Sequence, residues 1–271
     1  MSTYLVIGGT GKTGRRVVDR LRADGHTARP VSRATGFDWT RPETYDAAVA
    51  RVDGVFLTVA GQDPANAGRV ADLLDRSERA GARRAVLLSA RAVEFHPTGA
   101  LAAVEAATQA APLAHTILRP SWFAQNFTEA FLSPDAEGRV TAPAGDGREP
   151  FVDLEDVAAV AVAALLDGHD GTLELSGSEA LTFGEAVTVL GERTGRPVRF
   201  EPADPLAYRA ALAEQLPPEY VDWRMAMFDA IRTGRDARLS DGIDVVLGRP
   251  ATSFSAWAER EVTFAAAGSA R

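Results

Sequence analysis

The stretch Val6-Ile7-Gly8-Gly9-Thr10-Gly11-Lys12-Thr13-Gly14 limits what this chain can become more than any other. It follows an apolar run, Tyr4–Ile7, that reads as a buried strand. It opens Lys12–Ala23, in which Val17, Val18 and Leu21 fall on one helical face before Asp24-Gly25 ends the pattern. Glycines 9, 11 and 14 satisfy GxGxxG, and glycines 8, 11 and 14 satisfy GxxGxxG. One glycine permits the tight turn and one lets the backbone approach a pyrophosphate. Gly14 allows helix and strand to pack closely, and the N–H groups of the first helical turn point at the phosphates. Gly8–Gly14, with Thr10, Lys12 and Thr13, is therefore read as a dinucleotide cradle.

The pattern that follows agrees with it. Strands are expected at Ala28–Ser32, Val55–Val59, Ala85–Ser89 and His115–Leu118, and helices at Pro42–Ala50, Pro64–Ala80 and Gly99–Ala111. Strands alternating with helices of about ten residues or more mean βαβ crossovers and a parallel sheet. After Arg119-Pro120 the alternation weakens, and Ser133–Pro150, rich in Gly, Pro and charge, reads as a loop or hairpin region. Asp153 stands at the N-cap of a helix over Leu154–Leu166, and Thr182 with Glu185 spells a capping box for a helix up to Arg193. Short strands near Leu173–Ser176 and Val198–Glu201 bracket that helix, and the tail from about Pro205 is mainly helical. The expected fold is α/β: a doubly wound parallel sheet (Rossmann) with a smaller, mainly helical C-terminal lobe. The expected division is a cofactor domain over 1–150 and a substrate-side region over 151–271 that contributes in part to the same sheet.

Gly11-Lys12-Thr13 also matches the end of a phosphate-binding P-loop, but the position five before Gly11 is Val6 rather than glycine. The apolar strands end in Thr58 and Ser89 rather than in a metal-binding acid. The choice between dinucleotides falls at the end of the second strand, where an NAD site places an acid and an NADP site a positive charge. Here that position is Ser32-Arg33, so Arg33, helped by Lys12 and Arg15, is expected to clamp a 2′-phosphate. Asp38 either meets the adenine amino group or caps the next segment.

Composition closes other routes. The absence of cysteine excludes disulfides, thiolate metal sites and thiol nucleophiles. With 29 basic against 37 acidic residues, the net charge of −8 disfavours nucleic acid as a partner. Histidines 26, 96, 115 and 169 show no metal-ligand spacing and no Gly-x-Ser-x-Gly elbow occurs, so neither a metal site nor a hydrolase triad is expected. The N-terminus lacks a basic leader and no apolar run reaches about 18 residues, so a soluble cytoplasmic protein without membrane contact is expected.

VIGGTGKTGRRVVDRLRADGHTARPVSR, HTILRPSWFAQNF and PFVDLEDVAAVAVAALL, in that order, resemble the NmrA-like branch of the atypical short-chain dehydrogenase/reductases, and VLGRPATSFSAWA resembles the family's usual finish. The resemblance implies bound NADP(H). In it, Thr58-Val59-Ala60 end the strand under the adenine-side ribose, and Ser89-Ala90 end the strand nearest the nicotinamide ribose. Arg119-Pro120 with Ser121–Phe123 form the loop over the nicotinamide. The wider superfamily protonates carbonyls with a tyrosine four residues before a lysine. This chain has one lysine, Lys12, in the phosphate loop, so Tyr4, Tyr45, Tyr208 and Tyr220 lack that partner.

Ser89, His96 and Tyr220 are the candidate donors. For Ser89 the alternative is a capping hydroxyl, and for His96 a surface loop histidine. Trp122, Phe123, Asn126 and Phe127 either wall an apolar substrate pocket or belong to the core. The expected function is hydride transfer from NADPH to a conjugated small molecule such as a quinone, imine or iminium ion, or activated alkene. The alternative is a non-catalytic sensor of the NADP pool, and in either case a monomer or homodimer.

Overall fold

Val17, Val18 and Leu21 are buried on the face of the first helix that the 3.6-residue period selects, and Gly25, in the left-handed region at φ +79°, ends that helix. The computed structural model describes residues 1–59 and 61–268, with side chains through Glu261; Ala60 lies outside the described residues. In chain order the elements are β1 (Thr3–Ile7), α1 (Lys12–Ala23), β2 (Thr27–Val31), α2 (Tyr45–Val49), β3 (Gly54–Leu57), α3 (Asn66–Arg79), β4 (Arg84–Leu88), α4 (Ala100–Ala110) and β5 (Ala114–Pro120). There follow α5 (Asn126–Glu129), β6 (Arg139–Ala142), β7 (Arg148–Glu149), α6 (Leu154–Leu166), β8 (Gly171–Leu175), β9 (Leu181–Thr182), α7 (Phe183–Thr194) and β10 (Arg199–Pro202). The tail is helical: α8 (Pro205–Ala213), α9 (Pro218–Arg232), α10 (Gly242–Leu247) and α11 (Phe254–Gly268).

The chain folds into two compact units that interleave along the sequence. The first takes Met1–Pro120, Leu154–Glu174 and Gly242–Gly248; the second takes Ser121–Asp153, Leu175–Asp241 and the chain from Arg249. No single cut separates them, because β8 is the edge strand beside β5 and α6 packs on α1.

The first unit is a six-stranded sheet in the order β2-β1-β3-β4-β5-β8, and β1 to β5 pair in parallel, Leu5 opposite Arg29 on one side and Val55 on the other. Leu5, Ile7, Val55, Leu57, Ala85, Leu87 and Ile117 share one core with Val70, Leu73 and Leu74 of α3 and Val104 of α4. Alternate residues Val6, Phe56 and Val86 are equally buried, so both faces of the sheet are covered, as a doubly wound sheet requires. Strand order reverses at β1, with β2 on one flank and β3 on the other, which leaves a crevice at their carboxyl ends.

The second unit is built on aromatic packing: Phe183 contacts Phe151, Phe127, Phe200, Phe228 and Trp122. The capping box holds, with Glu185 N–H donating to Thr182 Oγ1 at 3.0 Å and Thr182 N–H to Glu185 Oε2 at 2.8 Å. Ser133–Pro150 is not a hairpin. Its β6 pairs in parallel with β10 and its β7 antiparallel with β9. Gly147 between them lies so close to α9 that a Cβ would stand 2.2 Å from the Ile231 carbonyl oxygen. The segment is thus held by remote partners rather than by itself. Among the described residues no helix is long and apolar enough to cross a membrane.

Candidate functional site

The glycine loop is tied to the sheet before any ligand is considered. Gly8 N–H and Gly9 N–H donate to the Val31 carbonyl at the end of β2, at 2.9 and 3.3 Å, and Gly11 N–H donates to Gly8 O at 2.8 Å. Gly8 sits at φ +73°, where a side chain is strained. A Cβ on Gly9 would fall 2.6 Å from Pro30 Cβ, and one on Gly14 would fall 2.1 Å from Gly8 O. The loop therefore needs these three glycines for its own packing. Gly11 differs: a Cβ there would meet only Gly8 O, at 3.2 Å. Its bareness serves the open side of the loop, where it is the N-cap of α1. No side chain caps that helix and no acid stands in its first turn, so amide donors and a positive dipole end face outward. This arrangement fits a dinucleotide pyrophosphate.

Beside it, a cavity of about 330 Å³ is lined by Gly8, Arg33, Asp38, Trp39, Thr58 and Arg69, among others. Arg33 is exposed at its rim, and its side chain makes no hydrogen bond or ion pair among the described residues. Asp38 Oδ1 accepts from both Thr40 N–H and Thr40 Oγ1–H at 2.8 Å, the capping role. Those donors, with a smaller pull from Arg33 and Arg41, hold its carboxyl below the ordinary carboxylate range. Trp39 donates Nε1–H to Thr58 O at 3.1 Å and packs edge-on to Phe37 at 5.2 Å, tying the loop after β2 to the end of β3. Val59 is half-buried next to it. Arg69 has no warning in the sequence. It lines the same cavity from α3, with Nη1 2.5 Å from Asp63 Oδ2 and 3.0 Å from Asn66 Oδ1.

At the end of β4, Ser89 is buried and its hydroxyl donates to Glu105 of α4, itself 3% exposed. Arg119 on β5 reaches the same carboxylate through Nε, at 3.0 and 3.2 Å, and through Nη2. Glu105 in turn holds the Arg119 pKa above its ordinary value. Glu105 was legible in principle: with Leu101, Val104 and Thr108 it is a lone carboxylate on the buried face of a short helix. His96 is half-buried; its ring packs on Gly99, where a Cβ would stand 2.2 Å from Cδ2, and its ring nitrogens have no hydrogen-bond partner among the described residues.

The second unit holds the other candidates. Trp122 and Phe127 are core residues, 4% and 1% exposed; Phe127 packs on Phe151 and Phe254. Phe123 and Asn126 are half-buried. Tyr220 lies on α9, its hydroxyl accepting from Arg224. Pro120 is the buried last residue of β5. Among the described residues no cluster of histidines and acids could hold a metal.

Residues 8–168 match the family model described as NAD(P)H-binding. The chain is 32% identical over 277 residues to the uncharacterized oxidoreductase YesF of Bacillus subtilis, covering 96% of this chain and 95% of that one. This chain belongs to the NAD(P)H-binding family. A second relative, the (4-alkanoyl-5-oxo-2,5-dihydrofuran-3-yl)methyl phosphate reductase of Streptomyces griseus, is 34% identical over 281 residues, covering 96% of this chain and 99% of the relative. The fold of this NAD(P)H-binding protein is that of NmrA, a negative transcriptional regulator solved with NAD, at a TM-score of 0.75 and 16% identity over 100% of this chain and 98% of the other. The NmrA-like resemblance and the Rossmann fold expected from sequence both hold.

Proposed function

We propose that this NAD(P)H-binding protein is an NADPH-dependent reductase of a conjugated small molecule: a quinone, an imine or iminium ion, or an activated alkene. The observation that carries the reading is the glycine cradle opening beside a cavity whose rim offers the Arg33 guanidinium with no hydrogen bond or ion pair among the described residues. The amides at the start of α1 would hold the pyrophosphate, and Arg33 the 2′-phosphate that distinguishes NADPH from NADH. Arg69 is held by Asp63, whereas the Arg33 side chain, which feels Asp38 only through space, keeps its hydrogen-bond donors available in this cavity. The bound cofactor would supply the hydride. The chain's own residues supply orientation and a proton where the acceptor needs one. The oxidoreductase and reductase named among its relatives support the class.

Ser89, whose hydroxyl is spent on Glu105, and the missing tyrosine–lysine pair favour a second reading, a protein that binds NADP(H) as a signal and does not turn it over. One experiment separates them. Purified protein is titrated with NADPH and NADH by fluorescence, then offered quinones, imines and triarylmethane dyes while reduced nicotinamide is followed by absorbance. Substrate-dependent oxidation with preference for NADPH is expected. Tight binding without oxidation across the panel supports the sensor, and failure to bind either nucleotide overturns both readings.

A further inference from the structure

Arg224 on α9 is 7% exposed, yet no carboxylate pairs with it among the described residues. Its guanidinium lies 3.8 Å from the centroid of the Phe131 ring and 5.1 Å from that of Tyr220. It donates to the Tyr220 hydroxyl, and its charge acts on the nearby Tyr208 phenol. Burial pushes the Tyr208 phenol up against the opposing pull of Arg224, so that phenol is neutral and does not cancel the charge. The Tyr220 oxygen occupies a small part of a five-donor fork, and each phenol keeps an O–H of its own to give.

A second observation concerns the same cluster. Trp122 packs on Phe131 at 5.3 Å and on Phe228 at 4.9 Å, and Phe228 packs on Tyr208 at 5.4 Å, so the chain of contacts from Arg224 returns to Arg224. Trp122 Nε1 is buried without a hydrogen-bond partner, as is Nε1 of Trp223, which stands 5.3 Å from Tyr220 ring to ring. The cluster thus holds a cation that no carboxylate neutralises and two buried indole N–H groups without acceptors, an arrangement that costs free energy unless something supplies them. Contact with the Phe131 face offsets part of the cost of burying the charge but gives the N–H groups nothing. Phe131 is 41% exposed, so the cluster has one face open to solvent.

We infer that the Arg224 cluster of the second unit is an oxyanion site, and that the substrate carries a carboxylate or phosphate on a flat or conjugated body. The guanidinium edge, the phenols and the indole N–H groups meet the oxygens, and the rings meet the body. The word substrate rests on the reductase reading; the anion site itself does not.

The test is calorimetric titration of the whole protein with cinnamate, phenyl phosphate and neutral cinnamyl alcohol, for wild type, Arg224→Met and Arg224→Lys, with NADPH titrated separately into each. At least one anion should bind wild type tenfold or more tightly than the alcohol. Arg224→Met should lose that preference, Arg224→Lys should keep part of it, and NADPH affinity should not change. Which anion prevails assigns carboxylate or phosphate. Arg224→Met should melt cooperatively, at or above the wild-type temperature, because an uncompensated buried charge has gone; should it fail to fold, the loss in Arg224→Lys decides. Equal binding of anions and alcohol by wild type, or an undiminished preference in the variants, overturns the site. Failure of NADPH to bind would overturn the reductase reading and leave the anion result standing.

Discussion

Ser89 and Arg119 grip one carboxylate, that of Glu105, from β4 and β5, two neighbouring strands of the sheet. The carboxylate is buried, while the Arg119 side chain is 22% exposed. Removing the acid from such a pair leaves the cation stranded, at a cost of about 3–5 kcal/mol where burial is complete. Arg119 can still reach water, so Glu105→Gln should lower the unfolding free energy by about 2–3 kcal/mol. Ser89→Ala, which removes one hydrogen bond to a charged group, should cost about 1.5 kcal/mol. Urea unfolding measures both, and equal losses would show that the ion pair contributes nothing of its own.

Gly11 and Gly14 should separate fold from ligand. In Gly14→Ala the new Cβ falls 2.1 Å from Gly8 O and the loop must move. A loss of about 1–3 kcal/mol in stability is expected, together with loss of NADPH binding. In Gly11→Ala the contact is 3.2 Å, and stability should change by less than about 1 kcal/mol. Its NADPH affinity should still fall about tenfold or more, because the methyl group stands where the pyrophosphate approaches. Thermal melts and fluorescence titrations of the two variants give the comparison. Undisturbed affinity in Gly11→Ala would remove the cradle from the binding site.

Glu185 gives the second unit an acid dependence that can be tested at one helix start. The Thr182 N–H and two bonds of 2.9 Å from Arg148 hold its carboxyl below its ordinary value of 4.5. A folded-state pKa below the unfolded one stabilises the protein above the unfolded value, and that contribution is lost as pH falls through the folded value. Glu185→Gln should therefore melt below wild type at pH 7, and the gap should close as pH drops below about 4.5. A gap that persisted at pH 2.5 would mean that the charge is not what stabilises this helix start.

What the sequence displayed and what it hid divide by range. The Gly8–Gly14 loop and the Thr182–Glu185 box are contacts within one turn, and their residue types announce them. The β6–β10 pair joins Val140 to Phe200, and nothing near either residue points to the other. Glu105 needs β4 and β5 side by side before Ser89 and Arg119 can meet it. The spacing of Trp122 and Phe127 suits a pocket wall as well as a core. Phe151, Phe183 and Phe254, from distant parts of the chain, put Phe127 inside. Arg33 could be singled out because strand and loop fix its place at the end of β2, whereas Arg69 enters the same cavity only through the placement of α3.

Arg33→Ser tests cofactor choice. A charge-assisted hydrogen bond contributes about 1.5–3 kcal/mol, so NADPH affinity should fall about 10- to 100-fold. NADH lacks the 2′-phosphate and should bind the variant as it binds wild type. Paired titrations read the ratio directly. A parallel loss for both nucleotides would give Arg33 a structural role in the loop after β2 instead.

The proton donor can be sought by choosing acceptors. Reduction of a quinone or an imine consumes a hydride and a proton, whereas a cationic triarylmethane dye is neutralised by hydride alone. The Ser89 hydroxyl already donates to Glu105, which Arg119 also engages, so Ser89 is poorly placed to release its proton. The His96 imidazole has no such commitment. General acid catalysis contributes about 10²- to 10⁴-fold. His96→Gln should accordingly lower kcat/KM for quinones and imines by about 10²-fold and leave dye reduction and NADPH affinity unchanged. Ser89→Ala should lower both activities by less than about tenfold, through the packing around Glu105. Steady-state rates on the two acceptor classes decide the matter. If dye and quinone turnover fall together in His96→Gln, the imidazole shapes the loop before α4 and gives no proton; if quinone turnover survives intact, the proton comes from solvent.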